Sequence, residues 1–220
     1  MMENPHSGQR NPHEEYHEVI AVPTRVCHHI IDVLCYSIIS VLTGEISICV
    51  EKFENSLVII NDSQDILLKI GISRSNNDKV TVSLIGNLPI RSNSLKKEII
   101  RKTSEILAIL AGMRDDLRTD VIELMHSVCF LENCGFYIRR RNLQSAYIFL
   151  NRARESLLNT KLSSEPINEI VLKSFRLLSI IYRLLGKESI SPSLLERMFT
   201  IVSTWKNTLI FTLDGLMHKA

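Results

Sequence analysis

PIRSNSLKKEIIRKTSEILAILAG, residues 89–112, decides the fold, because the apolar spacing changes inside it. Up to Ile85 apolar and polar residues alternate; Pro89 and Ser92-Asn93-Ser94 interrupt that pattern; from Leu95 onward Ile99, Ile100, Ile106, Leu107 and Leu110 fall on one helical face. A repeat of two is that of a strand and a repeat of 3.6 that of a helix, so a β-rich part is expected to give way to a helical one here. Gly112 closes the run, as glycine commonly does at a helix C-terminus.

Downstream, the helical period persists. Leu117, Val121, Leu124, Met125, Val128 and Leu131 predict a second helix of this half, ending near Gly135 or shortly after it. Asn142 has the chemistry of an N-cap for the next, in which Ala146, Phe149, Leu150, Ala153 and Leu157 recur and the two alanines permit close contact. Pro166 fits the first turn of another, which runs to Gly186, and Ser191-Pro192 opens the last, burying Leu195, Met198, Val202, Trp205, Leu209 and Leu213. Short connections make neighbours antiparallel, so residues 93–220 are expected to form a bundle of about five helices. Arg141 to Leu158 (RNLQSAYIFLNRARESLL) resembles the second helix of a tetratricopeptide hairpin, but no matching segment lies about 34 residues away, the period which that family requires.

Upstream of residue 89, four runs alternate as strands do: Ile46–Glu51, Ser56–Ile60, Ile66–Ile72 and Lys79–Ile85, separated by turn-forming clusters such as Ser75-Asn76-Asn77-Asp78. They predict a four-stranded antiparallel meander. Before them Val26 to Gly44 reads as one helix, with Thr24 as its cap. That stretch approaches membrane length but carries Asp32, His28, His29, Ser37 and Ser40, and is read as a core helix with no membrane span in the chain. The expected fold class is therefore α+β: a disordered tail over residues 1–20, a small α+β module of helix and sheet over 21–92, and the helical bundle over 93–220.

Hydrophobic residues make up 45% of the 220, enough for a sizeable core. The first residues lack a basic segment followed by an apolar one, so a cytoplasmic or otherwise intracellular location is expected. Five cysteines, an odd number lying mostly in apolar runs, are expected to be reduced. Charge is uneven: residues 1–90 hold 6 Lys/Arg against 11 Asp/Glu, whereas residues 91–160 hold 12 against 8. The helical half is the basic one.

Candidate chemistry is sparse. His13-Glu14-Glu15-Tyr16-His17 resembles the H-E-x-x-H string of zinc peptidases, in which a helix sets two histidines on one face of the metal; here His13 and His17 are weak metal candidates because the string lies in the expected tail. A helix bearing His29, Asp32 and Tyr36, followed by paired strands, resembles the opening of the ATPase fold of histidine kinases and gyrase-like proteins. That resemblance implies magnesium on the helix and adenine after the strands, but Asp62-Ser63-Gln64-Asp65-Ile66 has no glycine to admit the ligand. Phosphate-loop, nucleophile-elbow and dinucleotide strings are absent. No cofactor is expected.

Two basic features stand out. Lys97 and Arg101 open the helical half; Arg139, Arg140 and Arg141 lie at a helix junction after Phe136 and Tyr137, with Arg152 and Arg154 on the next helix. Guanidinium forks and neighbouring rings suit phosphates and bases, which makes these seven the candidate residues of a nucleic-acid-binding reading. The favoured expectation is a non-catalytic interaction or regulatory module, acting through its helical bundle within a larger assembly and binding a protein partner or itself. Leu184, Ile201, Ile210 and Phe211 motivate it, since they lie outside the main core rows. Nucleic-acid binding is the alternative, and a degenerate nucleotide-binding or metal-dependent enzyme the second.

Overall fold

Tyr16–Ala21, which composition assigns to the tail, form the first strand, β1, in a computed structural model that describes residues 15–43, 47–61, 63, 65–75, 79–86, 92–187 and 189–219. The sheet thus has five strands among the described residues, not four. The remaining four are β2 (Ile48–Phe53), β3 (Ser56–Asn61), β4 (Ile66–Ser75) and β5 (Lys79–Ile85), antiparallel in the expected meander. β1 then pairs antiparallel with β5, from Tyr16 opposite Leu84 to Ala21 opposite Lys79, and the order is β1-β5-β4-β3-β2. Composition hides β1 because only Ile20 of its six residues is buried. Its order comes from the ladder with β5, a tertiary contact that no local signal reports.

The single expected N-terminal helix is two pieces. Thr24–His29 is a 3-10 turn whose cap position is taken by Pro23, not Thr24, and α1 follows as Ile30–Leu42. Every residue from Val33 to Ile39 is buried, because α1 lies between the sheet on one side and two later helices on the other. A helix apolar all round is what such a position requires. Thr24–Leu42 is long and apolar enough to cross a membrane. Its buried Ser37 hydroxyl is satisfied within the helix, donating to the Val33 carbonyl at 2.8 Å.

Five helices follow: α2 (Ser92–Gly112), α3 (Asp115–Arg139), α4 (Leu143–Asn159), α5 (Glu165–Leu184) and α6 (Pro192–Met217). The α2 helix packs on α1, β1 and the 3-10 turn, while α3 is flanked by α4 and α6 and also touches α1 and β2. Buried apolar residues form one continuous cluster from Ile20 to Met217. Gly135 does not end α3. It sits inside the helix where a Cβ would come within 3.3 Å of the Phe199 ring, so its lack of side chain admits α6. The real end is at Arg141, whose φ of 58° is left-handed; Asn142 N–H returns to the Tyr137 carbonyl at 3.0 Å, and the Asn142 side chain accepts from Ser145 N–H as the cap of α4.

An edge strand leaves a row of backbone groups without partners, and β2 is such an edge. Here α3 supplies them. The Asn133 side-chain amide accepts from Val50 N–H at 2.8 Å and donates to Val50 C=O at 2.9 Å, as a neighbouring strand would. One residue earlier, Glu132 Oε1 accepts from Ile48 N–H at 3.4 Å, and its other oxygen meets Lys206 Nζ of α6 at 2.6 Å. All three side chains are buried.

Candidate functional site

The seven basic candidates separate into two groups. Lys97 and Arg101 are on α2, which packs with the sheet layer, and Arg101 is paired with Glu105 one turn on. The arginines from 139 to 154 are on α3, α4 and their junction, and four of them lie over rings of the protein itself. Arg139 sits 3.6 Å from the centroid of Phe199, Arg154 4.5 Å from Phe175, Arg140 5.3 Å from Phe136 and Arg152 5.8 Å from Phe149. Tyr137 and Phe149 are stacked on each other at 5.6 Å. The rings expected to receive bases thus serve to hold α3, α4, α5 and α6 together.

Of the weak metal candidates, His13 lies outside the described residues. His17 is on β1, exposed, with Nε2 3.3 Å from the Glu15 carboxylate, in strand geometry rather than on the helix that the zinc string needs. Among the described residues no group of three or more His, Cys, Asp or Glu side chains is arranged to hold a metal ion. Asp62, of the ATPase resemblance, is outside the described residues, and Asp32 is already held by Lys52 and His126.

Those partners belong to a ladder between α1 and α3. Asp32 Oδ1 accepts from Lys52 Nζ of β2 at 2.8 Å and lies 3.0 Å from His126 Nε2 of α3. Three residues further along each helix, which is one turn, Cys35 and Cys129 bring their Sγ atoms to 2.8 Å. Burial works against the Asp32 carboxylate, but the hydrogen bond with His126 and the Lys52 ammonium outweigh it and hold Asp32 well below the usual carboxylate range. Burial likewise opposes a Cys35 thiolate, yet Cys129 and Lys52 together lower its pKa, while burial and Cys35 push Cys129 well up. Cys129 lines a cavity of about 470 Å³ between β2, α3 and α4, walled by Phe130, Tyr137 and Phe149, with Lys52 and Arg152 also lining it.

The second concavity is apolar. Because α6 packs along α3 and α5 along α4, contact between α5 and α6 is slight and a groove of about 470 Å³ opens between them. Leu177, Ile180, Ile201 and Trp205 line it together with Lys173 and Arg176, and among the described residues no carboxylate lines it. Ile180 and Ile201 are 42% and 41% exposed, large values for isoleucines on packed helices. Of the four residues expected to lie outside the core rows, Ile201 lines this groove and Phe211 is 81% exposed further along α6, whereas Leu184 and Ile210 pack partly against the core. On the α5 side the sequence reading left out Ile180, which lies beyond the stripe that packs in the core, and it is this exposed residue that lines the groove.

The chain matches no protein-family model, no curated protein and no solved structure.

Proposed function

We propose that the protein is a non-catalytic, intracellular interaction module whose docking face is the groove between α5 and α6. The observation that carries this reading is the apolar floor of that groove, left uncovered by the chain's own helices and bordered by Lys173 and Arg176. A trough between two helices suits a third helix lying along it with anchors at every third or fourth position. Lys173 is already paired with Glu169, so the Arg176 guanidinium is the charge that favours the occupant: an amphipathic helix of a partner protein with an acidic residue flanking its apolar face. Exposed apolar area of this kind on an otherwise charged surface is a common mark of an interface.

The test is a photo-crosslinking amino acid at position 201 of the full chain, introduced in the native host. Support is a crosslink to a partner segment of that chemistry which disappears when Ile180 becomes Glu and persists when exposed Phe53 of β2 becomes Glu. A crosslink to a second copy of the chain, or one indifferent to Ile180→Glu, refutes the reading.

A further inference from the structure

Cys35 and Cys129 are 94 residues apart in sequence and belong to different helices, yet their sulfurs touch at 2.8 Å. We propose that the two are a peroxide-reactive dithiol that closes to a disulfide between α1 and α3, with the cavity over Cys129 as the oxidant's point of entry. Three features of the structure carry this.

The pair is held in register from one turn away, where Asp32 and His126 bridge the same two helices at 3.0 Å. Formation of the bond therefore needs little motion of either backbone. The second feature is charge. Lys52 Nζ, fixed by Asp32 at 2.8 Å, acts as a charge on both thiols, and a cation near a thiol favours the thiolate, the reactive form. The third is access. Both thiols are buried, but Cys129 forms part of a cavity wall, and about 470 Å³ is ample for a hydroperoxide. Cys134 is buried, and Cys49, within electrostatic range of Cys35, has its Sγ directed to the Tyr137 hydroxyl at 3.8 Å.

The chemistry balances with hydrogen peroxide as the oxidant. The proton of Cys129 passes across the 2.8 Å contact to the Cys35 thiolate; Cys129, at the cavity wall, then attacks one peroxide oxygen, the O–O bond breaks, and the other oxygen leaves as hydroxide, which takes the proton of Cys35 to become water. The second sulfur, now a thiolate, displaces the sulfenic oxygen; that oxygen leaves as hydroxide and is protonated to a second water. Two thiols and one peroxide yield one disulfide and two waters. The product would join α1 in the sheet layer to α3 in the helical half, closing a long loop and constraining the unfolded chain accordingly.

The full chain, purified reduced and freed of reductant, is treated with hydrogen peroxide, unfolded in the presence of a maleimide and mapped by mass spectrometry. The expected result is loss of two of the five free thiols and a dithiothreitol-sensitive peptide joining Cys35 to Cys129. Lys52→Met slows its appearance severalfold, and the oxidised wild type has a higher thermal midpoint than the reduced. Mapping the wild type alone decides the matter if a variant fails to fold. The proposal is overturned if the partly exposed Cys27 is oxidised while Cys35 and Cys129 stay alkylatable, or if Cys129 proceeds to a sulfinic acid with Cys35 still free.

Discussion

The seam between β2 and α3 and the groove between α5 and α6 are both places where a secondary element runs out of neighbours, and the chain treats them in opposite ways. At the seam an edge strand is closed with buried polar side chains: Asn133 on Val50, Glu132 on Ile48, Lys206 on Glu132. At the groove, Ile180 and Ile201 are left open to water. Backbone groups cost too much to bury without partners, so the fold has to answer them internally; apolar side chains at a surface cost comparatively little and can wait for an external partner. The seam should therefore be costly to perturb and the groove cheap.

The largest effect expected is at Lys206. Lys206→Met leaves the Glu132 carboxylate buried without its cation, which typically destabilises by about 3–5 kcal/mol. Urea unfolding followed by circular dichroism measures it. Adding Glu132→Gln removes the stranded charge, and the double variant should recover most of the loss. If Lys206→Met alone is neutral, the pair contributes nothing to the seam and the contrast with the groove weakens.

Asn133→Ala comes next. It strips both partners from Val50 at once, and an orphaned buried donor or acceptor costs about 1–3 kcal/mol. The diagnostic is local: amide exchange at Val50 should accelerate more than at Leu57, which lies on β3 and is held within the sheet between β2 and β4.

The seam also has a pH signature. The Asp32 pKa is lowered in the fold, so folding is favoured by its ionisation above the unfolded-state carboxylate value of roughly 4, and that contribution is lost as pH falls from there through the folded pKa. Asp32→Asn should flatten the acid limb of the stability curve below about pH 4 relative to wild type. A limb of unchanged steepness would place the acid sensitivity elsewhere.

Much of this architecture was legible in the spacing of apolar residues, because spacing reports which face a helix or strand buries. The change of period after Ile85, the Asn142 cap and the proline-led starts of α5 and α6 are all local signals, and each corresponds to an observed boundary. What escaped has in common that a distant partner decides it. The strand β1 is ordered by β5, Gly135 is inside a helix because Phe199 needs the room, and Cys35 meets Cys129 only when α1 and α3 are side by side. The basic cluster shows the converse: Arg139 to Arg154 were visible as charge, but the rings beneath them, Phe199 and Phe175 among them, lie on other helices.

Arg141 offers a smaller test, of a local signal overridden. Its left-handed φ of 58° ends α3 without the glycine usual there. Arg141→Gly removes the side-chain strain and should raise stability by about 1 kcal/mol, visible as a higher unfolding midpoint. A loss instead would mean that the Arg141 side chain contributes more than its backbone costs.

The smallest effect on stability, and the one that bears most on function, belongs to the groove. Substituting both Ile180 and Ile201 with Gln changes side chains that are 42% and 41% exposed and closes no backbone group, so the unfolding free energy should move by no more than about 0.5 kcal/mol. A crosslink from a photo-reactive residue at position 204, which also lines the groove, should nevertheless vanish, because a helix docked there would have to bury two amides opposite its apolar anchors. A stability loss comparable with that of Asn133→Ala would mean that the groove is a working part of the core after all. In that case the distinction between a closed seam and an open face would fail at the point where it carries the functional proposal.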